Sequence, residues 1–355
     1  MACCYSHETA IKVFIYSGAN TLVNMNEKIN VSSRRFKELT RESCQKKNAN
    51  SLRKILTCFD DKERLDCLIL NKVHKRPDRL INWHRLNTNA NKFCIYEIRN
   101  SVDLYVVCPE LAFVQYAANH DLIDVIRTGS ALCSNFMLTD ECTSGIAQVS
   151  TSVTSVAKIK KFISNNSYMS GNQQANRALR YIVQGAWSPR ESALALCLTL
   201  PRQYGGFALG KITMNKQVKL LDQTYVLGQK KYKTRIPDIM ITARGYDKKK
   251  YTVGIDYDSD AFHADIKSQQ RDLMRENQLS LANSFRHISI STSMITDYMK
   301  LFQTVDQIRL LLKQRKHWSR MKKIETIADY DPQQYIWEKH IELWRRLFFS
   351  KNDCW

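Results

Sequence analysis

Three carboxylates in the second half of the chain are spaced for metal chemistry. Asp238 lies in Arg235-Ile236-Pro237-Asp238-Ile239-Met240-Ile241-Thr242, which reads as a strand, and Asp256 and Asp258 lie in Tyr251–Asp258, which reads as the next. Gly245 to Lys249 forms the turn between them. If that turn is centred on Asp247, Asp238 and Asp256 fall directly opposite each other, with Cβ atoms about 5 Å apart. Carboxylates at that spacing repel unless a proton or cation sits between them. Mg²⁺ and Mn²⁺ prefer such oxygen ligands. Asp258 faces the same side of its strand as Asp256, because strand side chains alternate. Val253 and Ile255 alternate with these acids, as expected when the other face packs inward. The competing reading is a solvated sheet edge.

Further groups follow. His263 is placed to orient or deprotonate a water, or to contact a phosphate. Asp272 and Arg275, and Arg271 and Arg275, share a face of a helix expected over residues 265–282. Arg271 and Arg275 are candidate phosphate contacts, as are Lys248, Lys249 and Lys250 in the turn.

The elements around these residues read as an α/β arrangement. Ser188-Pro189-Arg190-Glu191 is a helix start, with Pro189 at the first helical position and Glu191 completing a capping box. That helix runs to Leu200, where Pro201 stops it. Phe285 to Ile290 alternates and reads as a further strand. Apolar stripes predict helices over 298–316 and 333–349. Upstream, Phe93–Ile98 and Leu104–Val107 read as two strands around Asn100-Ser101, and Pro109-Glu110 opens a helix. Residues 139–156 are rich in Ser and Thr and read as a linker, and Gln173 to Gln184 reads as a helix. The expected divisions are 1–80, a small mainly helical region or degenerate winged helix; 81–170, an α+β middle region and linker; 171–296, the domain carrying the acids; and 297–355, a helical C-terminal extension.

The whole-chain numbers bound the function. The 355 residues carry a formal net charge of +20, with 44% hydrophobic and 25% charged residues. This is a globular composition whose excess of positive charge attracts polyanions, nucleic acid above all. No run is long and apolar enough for a membrane span, and no secretory signal is read at the N-terminus. Eleven cysteines without a CxxC pair predict reduced thiols in a cytoplasmic protein.

Pro237-Asp238, then Asp256-Tyr257-Asp258, His263 and Asp272-x-x-Arg275, resemble the PD-(D/E)xK nuclease superfamily. The match is nearest the branch of very-short-patch-repair endonucleases and covers about residues 176–296. The upstream segments Tyr105–Leu111 and Gly185–Glu191 resemble bacterial proteins that share this middle region with antitoxin-type regulators of abortive infection. The resemblance implies a restriction-endonuclease-like mixed sheet flanked by helices. It implies Asp238, Asp256 and Asp258 as metal-site positions, with His263 as base or phosphate contact. Glu191 would be an acidic helper on the first core helix. The chain departs from the pattern at Asp256, one methylene shorter than the usual Glu, and at Ser259, where the branch has Gly. The expected activity is Mg²⁺- or Mn²⁺-dependent phosphodiester hydrolysis, DNA ahead of RNA, in a defence context. The alternative is an inactive nuclease-fold DNA-binding regulator of antitoxin type. The aromatic tail is a candidate surface for a homodimer or protein partner.

Overall fold

The computed structural model describes residues 3–17, 23–30, 33–39, 51–69, 79–85, 93–99, 101, 103–140, 142–221, 232–258, 286–315 and 332–349. The chain forms two compact units, Met1–Ser188 and Pro189–Asp353. The divisions expected at 80, 170 and 296 do not coincide with that boundary. Among the described residues no helix is long and apolar enough to cross a membrane.

The first unit is built on a six-stranded mixed sheet of order β2-β5-β6-β1-β3-β4. Its strands are β1 (Cys3–Tyr5), β2 (Val23–Asn30), β3 (Leu65–Ile69), β4 (Ile81–Arg85), β5 (Cys94–Ile98) and β6 (Leu104–Val107). β1 runs parallel to β6 and β3 parallel to β4; the other pairs are antiparallel. Residues 1–80, read as a mainly helical region, contribute both helices and strands. Helices α1 (His7–Ser17), α2 (Arg34–Leu39) and α3 (Leu52–Ile55) are present, but three strands of the sheet come from this region. β1 and β3 are buried at every position. A strand covered on both faces shows no alternation, so periodicity alone misses it.

α4 (Pro109–Ala117) opens at Pro109 with Glu110 in its first turn, as the sequence predicts. α5 (Leu122–Leu132) is capped by Asp121, whose side chain accepts from the Ile123 and Asp124 amides. The stretch read as a linker contains β8 (Ile146–Gln148), which pairs with β7 (Phe136–Leu138). α6 (Val156–Asn165) is capped by Ser155. The helix expected over 173–184 is shorter, α7 (Asn172–Ala178), and belongs to this unit, packing on α4 and α5.

The second unit opens with α8 (Pro189–Thr199). Its main sheet has the order β14-β13-β12-β9, from β9 (Lys211–Met214), β12 (Ile239–Arg244), β13 (Lys250–Asp258) and β14 (Arg286–Ser291). β9, β12 and β13 are successively antiparallel, whereas β14 runs parallel to β13. The strand read as Arg235–Thr242 is split. β11 (Tyr232–Arg235) pairs with β10 (Val218–Leu221) in a separate ribbon, and β12 starts only after Pro237. Pro237 has no N–H to give a ladder, which suits a break at that point.

The sheet has two unlike faces. Ile239, Ile241, Val253, Ile255 and Ile290 are 0% exposed and share one face. α10 (Tyr298–Leu311) packs on β13 and β14 and buries Leu301, Val305 and Ile308. α9 (Thr292–Thr296) packs on α10, and α11 (Pro332–Phe348) packs on α8. The tail read as an extension thus belongs to this unit. Its aromatic stripe is used internally: Tyr298 meets Trp337 and Trp344 edge-on at 4.9 and 5.6 Å, and the Trp344 indole donates to Ile295 O at 2.7 Å. Trp318 and Trp355 lie outside the described residues.

Candidate functional site

The opposite face of the sheet is polar, and the acids lie on it. The register pairs Ile239 with Ile255. The next step along the hairpin sets Asp238 opposite Asp256, with Asp247 at the centre of the turn. The two acids hold each other's strands. Asp256 Oδ1 accepts the Asp238 amide at 3.3 Å, and Asp238 Oδ2 accepts the Tyr257 amide at 2.7 Å. Asp256 is 5% exposed. Asp258, two residues on, faces the same side and pairs in register with Ser291.

The row extends across the sheet. Asn215, just past β9, donates its amide to Asp238 O at 2.9 Å and adopts φ +47°. Asn enters this left-handed region more readily than most residues. On the other side Asp256 pairs with Ser289. Asn215, Asp238, Asp256 and Ser289 therefore form one cross-strand line.

One step away, His287 pairs in register with Gly254 on the same face. Gly254 has no side chain, so the imidazole has room to reach along the strand. His287 Nε2 lies 3.1 Å from Asp256 Oδ2, with the side chains 5% and 8% exposed. The approach is off the line of a hydrogen bond. Among the described residues that buried nitrogen has no hydrogen-bond partner. His287 was not singled out in the sequence. Its parity in the alternating 285–290 segment placed it on the polar face, but the neighbour of that strand is set only by the fold.

The other expected residues are distributed differently. Glu191 is 7% exposed on α8, which packs on β9 and α11. Among the described residues no three of His, Cys, Asp and Glu stand close enough together to hold one metal ion. Neither Glu191 nor Asp258 thus completes a three-residue cage. Lys248, Lys249 and Lys250 are exposed at the closed end of the β12–β13 hairpin. Asp256 lies six residues along the strand from Lys250, roughly 20 Å at strand rise. These lysines are therefore not neighbours of the carboxylate pair. They surround the Asp247 turn, where Asp247 accepts from the Lys249 amide at 3.1 Å and the Tyr251 hydroxyl at 2.5 Å. His263, Arg271 and Arg275 lie outside the described residues.

The chemistry of the pair suits a particular kind of ion. Zinc sites need three or four protein ligands. Mg²⁺ is held by one or two carboxylates and completes its shell with water and substrate phosphate oxygens. Asp238 and Asp256 fit the second pattern. Comparison of the chain with protein-family models, with curated proteins and with solved structures finds no match.

Proposed function

We propose that the Pro189–Asp353 unit is a PD-(D/E)xK-type nuclease that hydrolyses phosphodiester bonds in nucleic acid, DNA ahead of RNA. The observation that carries this reading is the facing pair Asp238 and Asp256 on adjacent strands, with the buried His287 imidazole against Asp256. A mixed sheet with helices beside it is compatible with the restriction-endonuclease-like fold that the motif implies. The net charge of +20 supports a polyanionic substrate.

Asp238 and Asp256 would hold Mg²⁺ or Mn²⁺, which when bound lowers the pKa of water and polarises the scissile phosphate. The protein's own contribution is positioning. The strand register fixes the separation of the two carboxylates, and the backbone amides of Asp238 and Tyr257 fix their orientation. The His287 imidazole stands 3.1 Å from the second oxygen of Asp256. The exposed Lys248–Lys250 cluster contacts backbone phosphates remote from the cleaved bond, setting affinity without choosing sequence.

One observation favours the inactive, DNA-binding alternative. Asp256 has one oxygen on the Asp238 amide and the other against His287, an arrangement that also serves as a purely structural clasp. The deciding experiment compares wild type with Asp256→Ala on labelled single- and double-stranded DNA and RNA, with Mg²⁺ or Mn²⁺ present or chelated. Cleavage that disappears both on chelation and in the variant supports the nuclease. Salt-sensitive binding with no cleavage under any condition overturns it and favours the regulator.

A further inference from the structure

The first unit carries two close cysteine pairs that differ in everything except proximity. Cys3 and Cys67 bring their sulfurs to 3.5 Å, and both residues are 0% exposed. Neither thiol is open to solvent. Cys94 and Cys108 form the second pair. Ile95 faces Val107 across antiparallel β5 and β6. The pairing continues one residue further, because Cys108 N donates to Cys94 O at 2.9 Å. Cys94 and Cys108 are therefore directly opposed.

Opposed residues that share such a bond have Cα atoms about 5.5 Å apart. That lies inside the window of roughly 4.4–6.8 Å that a disulfide spans. The two thiols are also chemically unequal. Cys94 is half-buried, whereas Cys108 is 2% exposed. The Cys108 thiol beside it, aided by the Tyr96 hydroxyl and opposed by burial, holds the Cys94 thiol down to about 7. Burial pushes the Cys108 thiol up. Lys28, opposite Tyr96 on β2, adds a positive charge on the Cys94 side, and Glu110 opposes it. A reachable thiolate next to a sealed thiol is the arrangement of an attacking and a resolving cysteine.

We propose that Cys94 and Cys108 are a peroxide-reactive dithiol that closes reversibly into a disulfide between β5 and β6. The Cys94 thiolate attacks one oxygen of hydrogen peroxide. The O–O bond breaks, hydroxide leaves, and two electrons pass from sulfur to the peroxide, giving a sulfenic acid. The Cys108 sulfur then attacks the Cys94 sulfur. The S–O bond breaks, and the hydroxyl leaves with the Cys108 proton as water. The new bond locks the end of β6 where Pro109 opens α4. This inference lies in the Met1–Ser188 unit and is independent of the proposed nuclease activity.

The test uses the full-length protein, a few equivalents of hydrogen peroxide, thiol blocking after denaturation, and peptide mapping by mass spectrometry. The expected product is a Cys94–Cys108 linked peptide that dithiothreitol removes, with Cys3 and Cys67 still reduced. In Cys108→Ser, Cys94 is expected to persist as a sulfenic acid trapped by dimedone; in Cys94→Ser, no linkage to Cys108 forms. Iodoacetamide labelling of Cys94 should rise with pH around a midpoint near 7. A Cys3–Cys67 bond forming at lower peroxide overturns the proposal. So does wild-type Cys94 that stays reduced or passes to sulfinic acid without linkage. The wild-type map decides the matter even if a variant fails to fold.

Discussion

His287 Nε2 stands 3.1 Å from Asp256 Oδ2, and both side chains are more than nine-tenths buried. The imidazole stands against that oxygen, so its removal leaves a buried carboxylate less compensated. His287→Ala is expected to lower stability by about 1–3 kcal/mol, the usual penalty for an orphaned buried polar group. In the nuclease reading it also lowers Mg²⁺ affinity or cleavage by about 10–100-fold, as loss of a group that orients a metal ligand does. Urea denaturation and a Mg²⁺ titration of cleavage measure the two effects. An unchanged Mg²⁺ dependence would confine His287 to a structural role.

Asp238 offers a cleaner separation of fold from chemistry. Its Oδ2 accepts the Tyr257 amide at 2.7 Å. Asp238→Asn keeps an acceptor oxygen there; Asp238→Ala does not. The Ala variant should lose about 1–3 kcal/mol in chemical denaturation and the Asn variant much less. Both should lose metal-dependent cleavage, because neither retains the charge. Full cleavage by Asp238→Asn would remove Asp238 from the metal site.

The lysines at the hairpin turn should act on binding alone. Replacing Lys248, Lys249 and Lys250 by Ala is expected to weaken DNA binding similarly for all sequences. The slope of log K against log salt should shrink by about one per lost phosphate contact. Single-turnover cleavage of saturated DNA should be unchanged, since the lysines are roughly 20 Å from Asp256 along the strand. A salt titration by fluorescence anisotropy reads this; an unaltered slope means that these lysines touch no phosphate.

In the first unit, acid should weaken the fold through His7. Its ring stacks on His84 with centroids 3.7 Å apart, and His84 lies 2.8 Å from Asp66. Burial, and then the charge of His84, hold His7 down to about 4, while Asp66 and Glu8 pull the other way. The unfolded chain, with His near 6.5, takes up the proton first. The stability is therefore complete above about 6.5 and drains as pH falls towards 4, by at most about 3 kcal/mol. Asp66, held low chiefly by His84 against the effect of burial, drains further at lower pH. His120, raised by its bond to Glu8, contributes in the opposite sense, with stability lost as pH rises. His7→Asn tolerates the local φ of +50° and does not titrate. Its urea midpoint should fall less between pH 7 and 4.5 than that of wild type; an equal fall would clear His7.

The docking of α11 rests on Gly205. This residue has φ +84°, and a Cβ there would lie 2.1 Å from Lys339 O. Its carbonyl accepts from His340 Nδ1 at 2.7 Å. Gly205→Ala should destabilise the unit by about 2 kcal/mol or more. Denaturation followed by tryptophan fluorescence, to which Trp337 and Trp344 contribute, checks this.

The carboxylate pair was legible in the sequence because a tight turn with alternating flanks sets register by itself. Once Asp247 is the centre, Asp238 must face Asp256. The same reasoning could not supply His287 or Cys108, whose partners lie across strands with no local turn to fix them. β1 and β3 were hidden by their completeness of burial, which removes the polar half of the pattern. The break at Ile236-Pro237-Asp238 was visible only as a proline, and which side of it belonged to which sheet depends on partners far along the chain.

The parallel pairing of β14 with β13 also has a kinetic meaning. A hairpin such as β12–β13 closes locally, on a scale of about 1–10 μs in isolated examples. The parallel pairing must wait until β14, far along the chain, comes alongside β13, and such long-range pairing is slow. The two acids thus come face to face early, and the imidazole reaches Asp256 only when the final strand docks. Completion of the site and completion of this sheet are then one event, so a chain caught before it holds opposed charges with no histidine beside them.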